Sequence, residues 1–138
     1  MIRTTTAGRW FRRVMWAGIA ANVALSAPTL FDPEWALAFG DLPPASPDVW
    51  PRFSGLLVIL LSALYVPAAL DPDRYYLTAW TSVGTRLAGV IFFFAQGAPY
   101  LQPGYVDLVF SALQGGFLMA AVRQAAVAPP VAQRGSLA

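Results

Sequence analysis

The stretch "FSGLLVILLSALYVPAAL", residues 53–70, holds eighteen residues and no charge. A run of that length with apolar side chains on every face cannot be the amphipathic helix of a soluble bundle, which needs a polar stripe for water. It matches the ~20 apolar residues that cross a ~30 Å hydrocarbon core. In such a core the backbone must satisfy its own hydrogen bonds, and an α-helix does so within one segment. Reading outward from it finds three more segments of the same kind: residues 14–31, about 78–98, and 105–122. The expected fold is all-α, a single integral membrane four-helix bundle spanning 1–138, with a flexible tail over 123–138.

Composition agrees. Apolar residues make up 57% of the 138-residue chain and charged residues 12%, about half the charged share of a soluble domain. The chain has no Cys and no His. Disulfides, thiolate nucleophiles, thiolate metal sites and imidazole ligation of metal or haem are therefore outside its chemistry. The expectation is a protein that is not an enzyme and has no covalent or metal cofactor. All nine basic residues are Arg. They stand at the ends of spans and form no basic run interleaved with aromatics, so no nucleic-acid partner is expected.

Their distribution sets an expected orientation. With the amino terminus inside, Arg3, Arg9, Arg12, Arg13, Arg74, Arg123 and Arg134 are cytoplasmic, Arg52 is outside, and Arg86 lies within a span. By the positive-inside rule both termini are cytoplasmic, in a bacterial inner membrane. A cleaved signal peptide is disfavoured, because Pro28 would directly follow the best cleavage site. "DPDRYY" (71–76) reads as a tight inner turn that makes an antiparallel hairpin of the second and third spans. In the longer outer loop, "PEWALAF" reads as a short interfacial helix started by Pro33. Trp35 and Trp50 outside, with Trp10, Tyr75 and Tyr76 inside, fit two aromatic belts.

Small residues recur four apart: Ala17 and Ala21, Ala20 and Ala24, Gly84 and Ala88, Ser111 and Gly115, Ala112 and Gly116. Such spacing lets helix backbones approach closely in lipid. Polar residues within the spans are few and avoid lipid. Asn22, Arg86 and Gln114 are the candidate contacts of the polar interior, or of a ligand. Taking Trp80 as the interface puts Arg86 ~9 Å deep. Helical side chains lean toward the helix amino terminus, so Arg86 is expected to reach the inner surface, toward lipid phosphates or Asp71 and Asp73. A link to Asp107 through Gln114, Ser111 or water is the alternative; a direct salt bridge is disfavoured, because the lean of the two helices points these side chains apart. Asp107, in the first turn of a span that starts near Tyr105, is expected to cap its helix and to pair with Arg52.

Residues 52–94, "RFSGLLVILLSALYVPAALDPDRYYLTAWTSVGTRLAGVIFFF", resemble small four-helix bacterial membrane proteins of the DoxX-like kind. The shared elements are an Arg and Gly opening a span, a "DP" turn and an Arg–Gly helix, over about a third of the chain. Some members of that group accompany quinone-linked oxidoreductases, and the resemblance implies an accessory membrane role without catalytic residues. The expected function is a non-catalytic accessory subunit of a larger inner-membrane complex, respiratory or photosynthetic. Its partners are other integral membrane subunits and lipids, and a bound lipid, quinone or carotenoid is in keeping with it. The alternative is a small membrane transporter or binder for a hydrophobic or anionic molecule.

Overall fold

A computed structural model describes residues 1–127, and every regular element among them is helical. Helix α1 runs over Thr6–Phe31, α2 over Pro33–Phe39, α3 over Val49–Leu70, α4 over Tyr76–Gln96 and α5 over Leu101–Val127. Short 3-10 turns precede α1 and α5, at Ile2–Thr4 and Ala98–Tyr100. Four of the helices are long and apolar enough to cross a membrane, which makes this a multi-pass membrane protein; the short α2 is not one of them.

The helices are longer than the apolar runs that announced them. Helix α1 begins eight residues before Val14, because Thr5 caps it with its side chain, accepting from the Gly8 amide at 2.9 Å. Such a cap satisfies an amide that has no partner inside the helix. Helix α5 starts at Leu101, ahead of Tyr105, and continues to Val127. Residues 123–127 are thus helical, correcting the expected start of the tail; the rest of that tail lies outside the described residues. Helix α2 forms as expected, with Pro33 at its start and the Asp32 carboxylate accepting from the Trp35 amide at 3.0 Å. Helix α4 ends at Gly97, whose φ of 88° is left-handed backbone that a glycine adopts without strain.

Helix α1 is the centre of the bundle, packing on α3 along one side and on α5 along another, while α4 packs on α5. Helices α3 and α4, joined by the turn over 71–75, touch much less than either of those pairs. The antiparallel α1–α3 pair is tied at both ends by arginines. Arg12, near the start of α1, donates from Nε to the Ala69 carbonyl at the end of α3 at 2.9 Å. Arg52, near the start of α3, donates from Nη1 to the Leu30 and Phe31 carbonyls at the end of α1. The last carbonyls of a helix lack intrahelical partners and carry its negative dipole end, so a guanidinium there answers both deficits.

The buried apolar side chains gather in the half of the bundle nearer the amino terminus. Phe11 and Met15 of α1, Ala68 and Ala69 of α3, Ala79 of α4 and Leu118 of α5 have no solvent exposure. Ile2 folds back onto this core, held by its amide, which donates to Asp73 Oδ1 at 2.7 Å. Above the apolar layer the interior turns polar.

Candidate functional site

The polar layer is built from one side chain on each of the four spanning helices. On α4, Arg86 donates from Nη1 to Oδ1 of Asp107 on α5 at 2.7 Å. Its Nη2 donates to Oδ1 of Asn22 on α1 at 3.2 Å. Asn22 in turn donates from Nδ2 to Oγ of Ser62 on α3 at 3.0 Å. Ser62 closes the line by donating to the Val58 carbonyl at 2.8 Å. Every bond points away from the guanidinium, so the orientation of the Asn22 amide is fixed from both sides. The result is a continuous polar belt, Asp107–Arg86–Asn22–Ser62, that ties α5, α4, α1 and α3 together.

Arg86 is 5% exposed and the Asp107 side chain 23%. A buried ion pair of this kind contributes little net stability against an apolar replacement, but losing one member leaves an uncompensated charge. The flat face of the guanidinium also lies over the Phe110 ring, 4.7 Å from its centroid, an arrangement that favours a cation. Two glycines make room. A Cβ on Gly18 would stand 2.8 Å from Arg86 Nη2 and 3.1 Å from Gln114 Nε2. A Cβ on Gly89 would run into Oδ2 of Asp107.

Several sequence expectations are corrected here. Arg86 does not reach toward Asp71 or Asp73; its guanidinium meets Asp107, which lies against Gly89, one turn further along α4. The side chain therefore runs toward the carboxyl end of its helix, against the usual lean, because a buried cation gains more from a desolvated carboxylate than from a long reach to the surface. Asp107 is no helix cap. With α5 starting at Leu101 it falls in the second turn, ~9 Å from the helix start at ~1.5 Å per residue. Nor does Arg52 pair with Asp107: it bonds Asp48 at 3.0 Å, four residues earlier, besides the α1 carbonyls. Asp71 accepts from the Arg74 amide at 3.3 Å, and Asp73 accepts from the Ile2 and Arg3 amides. Both acids of the α3–α4 turn thus serve the backbone.

Gln114, 1% exposed, lies beside the belt across from Gly18. Its Oε1, Arg86 Nε and the Tyr65 hydroxyl are buried and make no hydrogen bond among the described residues. Gly89 shares the polar face of α4 with Arg86, as its spacing of three implies, whereas Ser62 was not expected in the belt; its signal was a serine inside an uncharged run. Chemically the belt is a lock. Arg86 does not give up its proton in proteins, so its guanidinium is a fixed charge within the line, set against the Asp107 carboxylate.

At the amino-terminal end of α3, a recess of about 430 Å³ opens under α2, lined by Phe31, Leu37, Leu42, Asp48 and Arg52 among others. Comparison with protein-family models, with curated proteins and with solved structures finds no match to this chain.

Proposed function

We propose that the chain is a non-catalytic accessory subunit of a larger complex in a bacterial inner membrane, respiratory or photosynthetic, with both termini in the cytoplasm. The observation that carries this reading is the contrast between two sets of glycines. Gly18 and Gly89 are filled within the chain by the belt. Gly84 on α4 and Gly116 on α5 have open space where a Cβ would stand, and they share exposed faces with Ala88 and Ala112. Small residues spaced four apart allow close helix approach in lipid, where packing replaces the hydrophobic effect. Among the described residues nothing stands within 4 Å of a Cβ at either glycine, which leaves both positions available to helices of another chain. The resemblance of residues 52–94 to DoxX-like proteins supports the same role, and the Arg distribution supports the orientation.

Isolation of the full chain from its native membrane in mild detergent tests the proposal. Stoichiometric companion membrane subunits, lost on Gly84→Leu or Gly116→Leu substitution, are the expected result. A monomer with no companions overturns it. Because the chain has no Cys, single cysteines placed at residue 3 and residue 44 report the orientation by their labelling from either side.

A second reading, a binder or transporter of a small hydrophobic or anionic molecule at Asn22, Arg86 and Gln114, draws on the unpartnered buried atoms Arg86 Nε and Gln114 Oε1. Substituting Arg86→Leu, made together with Asp107→Leu so that no buried charge is stranded, separates the two: loss of ligand with folding and assembly intact supports the binder, and loss of assembly with folding intact supports the subunit.

A further inference from the structure

At the amino-terminal end of α1, Arg9, Arg12, Arg13 and Trp16 line, among the described residues, a recess of about 270 Å³. Three guanidiniums within the first eight residues of a helix are electrostatically misplaced, since that end already carries the positive pole of the helix dipole and favours anions. The first turn of α1 contains no acid to offset them. Nor does any carboxylate among the described residues bridge to them, the ion pairs present being Arg52–Asp48 and Arg86–Asp107. The nearest acids in sequence position on the same side, Asp71 and Asp73, are taken up by backbone amides.

Each arginine is also held. Arg12 donates from Nε to Ala69 at 2.9 Å, Arg9 donates to Thr6 Oγ1 at 3.3 Å, and Arg13 lies over the Trp10 ring at 4.9 Å. With the Arg12 charge partly answered by the carbonyl end of α3, Arg9 and Arg13 remain exposed positive charges whose compensation is missing among the described residues. The fourth wall shows what supplies it. Trp16 is 42% exposed, one turn further into the span, and exposed Ala20 continues the same helix face beyond it. A ligand seated there meets guanidiniums at one end and an aromatic and aliphatic strip at the other.

We infer that this recess binds the phosphate of an anionic membrane lipid, with Arg9, Arg12 and Arg13 on the phosphate oxygens and the acyl chain along Trp16 and Ala20. Guanidinium forks match phosphate oxygens in planar, bidentate geometry, and each basic residue at a membrane surface adds attraction to anionic lipid. The lipid, more than free phosphate, is selected by the apolar strip that a bare ion leaves uncovered. The inference rests on the four spans and is independent of any partner subunit.

The test uses the full chain in a mild non-ionic detergent, titrated with phosphatidylglycerol, phosphatidylcholine or inorganic phosphate and followed by native mass spectrometry. The comparison is with Arg9→Gln/Arg13→Gln, which spares the Arg12 bond to α3, and with Trp16→Ala. Phosphatidylglycerol is expected to bind about tenfold or more tightly to the parent chain than to the double variant. Phosphatidylcholine is expected to bind the two equally, and inorganic phosphate is expected not to displace the lipid. Trp16→Ala is expected to weaken the lipid alone. Unfolding midpoints of all chains establish that each is folded; should the double variant fail to fold, Arg13→Gln alone is read the same way with a smaller change. Equal phosphatidylglycerol binding by parent and variant overturns the site, and full displacement by inorganic phosphate overturns the lipid as its occupant.

Discussion

Asp107 of α5 lies against Gly89 of α4, so closely that a side chain of even one carbon at position 89 would occupy the space of its Oδ2. The other oxygen, Oδ1, accepts from Arg86 at 2.7 Å, one turn earlier on the same helix. One helix therefore supplies both the charge that holds the carboxylate and the gap that admits it.

Gly89→Ala consequently sets two effects against each other. Alanine favours the helix by about 1 kcal/mol over glycine, while forcing a methyl into a packed site costs about 1–3 kcal/mol. The carboxylate cannot swing away without leaving Arg86, so the second effect prevails. A net loss of up to about 2 kcal/mol is expected, read as a lower unfolding midpoint in detergent. Gly84→Ala, on the same helix with nothing in its way, is expected to leave the isolated chain as stable or stabilise it by up to about 1 kcal/mol.

Removing one charge of the pair is expected to cost more. Arg86→Leu or Asp107→Leu alone leaves a buried charge without its partner, a loss of about 3–5 kcal/mol. The double substitution Arg86→Leu/Asp107→Leu is expected to recover most of that, because two apolar side chains replace a pair whose desolvation offsets its attraction. A thermodynamic cycle over the four chains, by equilibrium unfolding, measures the coupling. Additive losses would show that the two side chains act independently.

The spans themselves were legible from hydropathy, since a run like 53–70 has no soluble alternative. Their ends were not. Helix α1 starts at Thr6 and α5 at Leu101, ahead of the apolar runs, because capping by Thr5 and the continuity of the backbone ladder carry helices through the polar interface. That shift decided the reading of Asp107. Counted from Tyr105 it belongs to a first turn and caps a helix; counted from Leu101 it lies a full turn deeper and meets Arg86. Asn22 and Arg86 were legible as polar interior residues, but the choice of Asp107 over the inner-turn acids depends on which helices are neighbours. Sequence spacing along one helix does not contain that information.

The reciprocal arginines of α1 and α3 carry a further expectation. Arg12→Leu removes a charged donor from the Ala69 carbonyl, and Arg52→Leu removes one from the Leu30 and Phe31 carbonyls. Each is expected to lose about 1.5–3 kcal/mol, the range for hydrogen bonds to charged groups. Asp48→Ala, which removes only the exposed partner of Arg52, is expected to cost less than about 1 kcal/mol. Unfolding midpoints rank the three. An Asp48→Ala loss equal to that of Arg52→Leu would assign the stabilisation to the surface ion pair and not to the helix end.

Asp73 holds the amino-terminal segment to the turn between α3 and α4. Its two oxygens accept from the Ile2 amide at 2.7 Å and the Arg3 amide at 3.0 Å, and the Ile2 side chain is buried in the apolar core. Asp73→Ala removes the acceptor of those two amides and releases the bonds that hold the segment before α1 to the turn between α3 and α4. The four spans keep their own contacts, so the effect is local opening and not global unfolding. Loss of hydrogen bonds to a charged acceptor, about 1.5–3 kcal/mol, corresponds to about ten- to hundredfold faster exchange at Ile2 and Arg3. Hydrogen exchange followed by mass spectrometry on the detergent-solubilised chain measures it, with Asp71→Ala as the neighbouring control, since Asp71 serves only the Arg74 amide. Unchanged exchange in Asp73→Ala would show that burial of Ile2 alone fixes the segment.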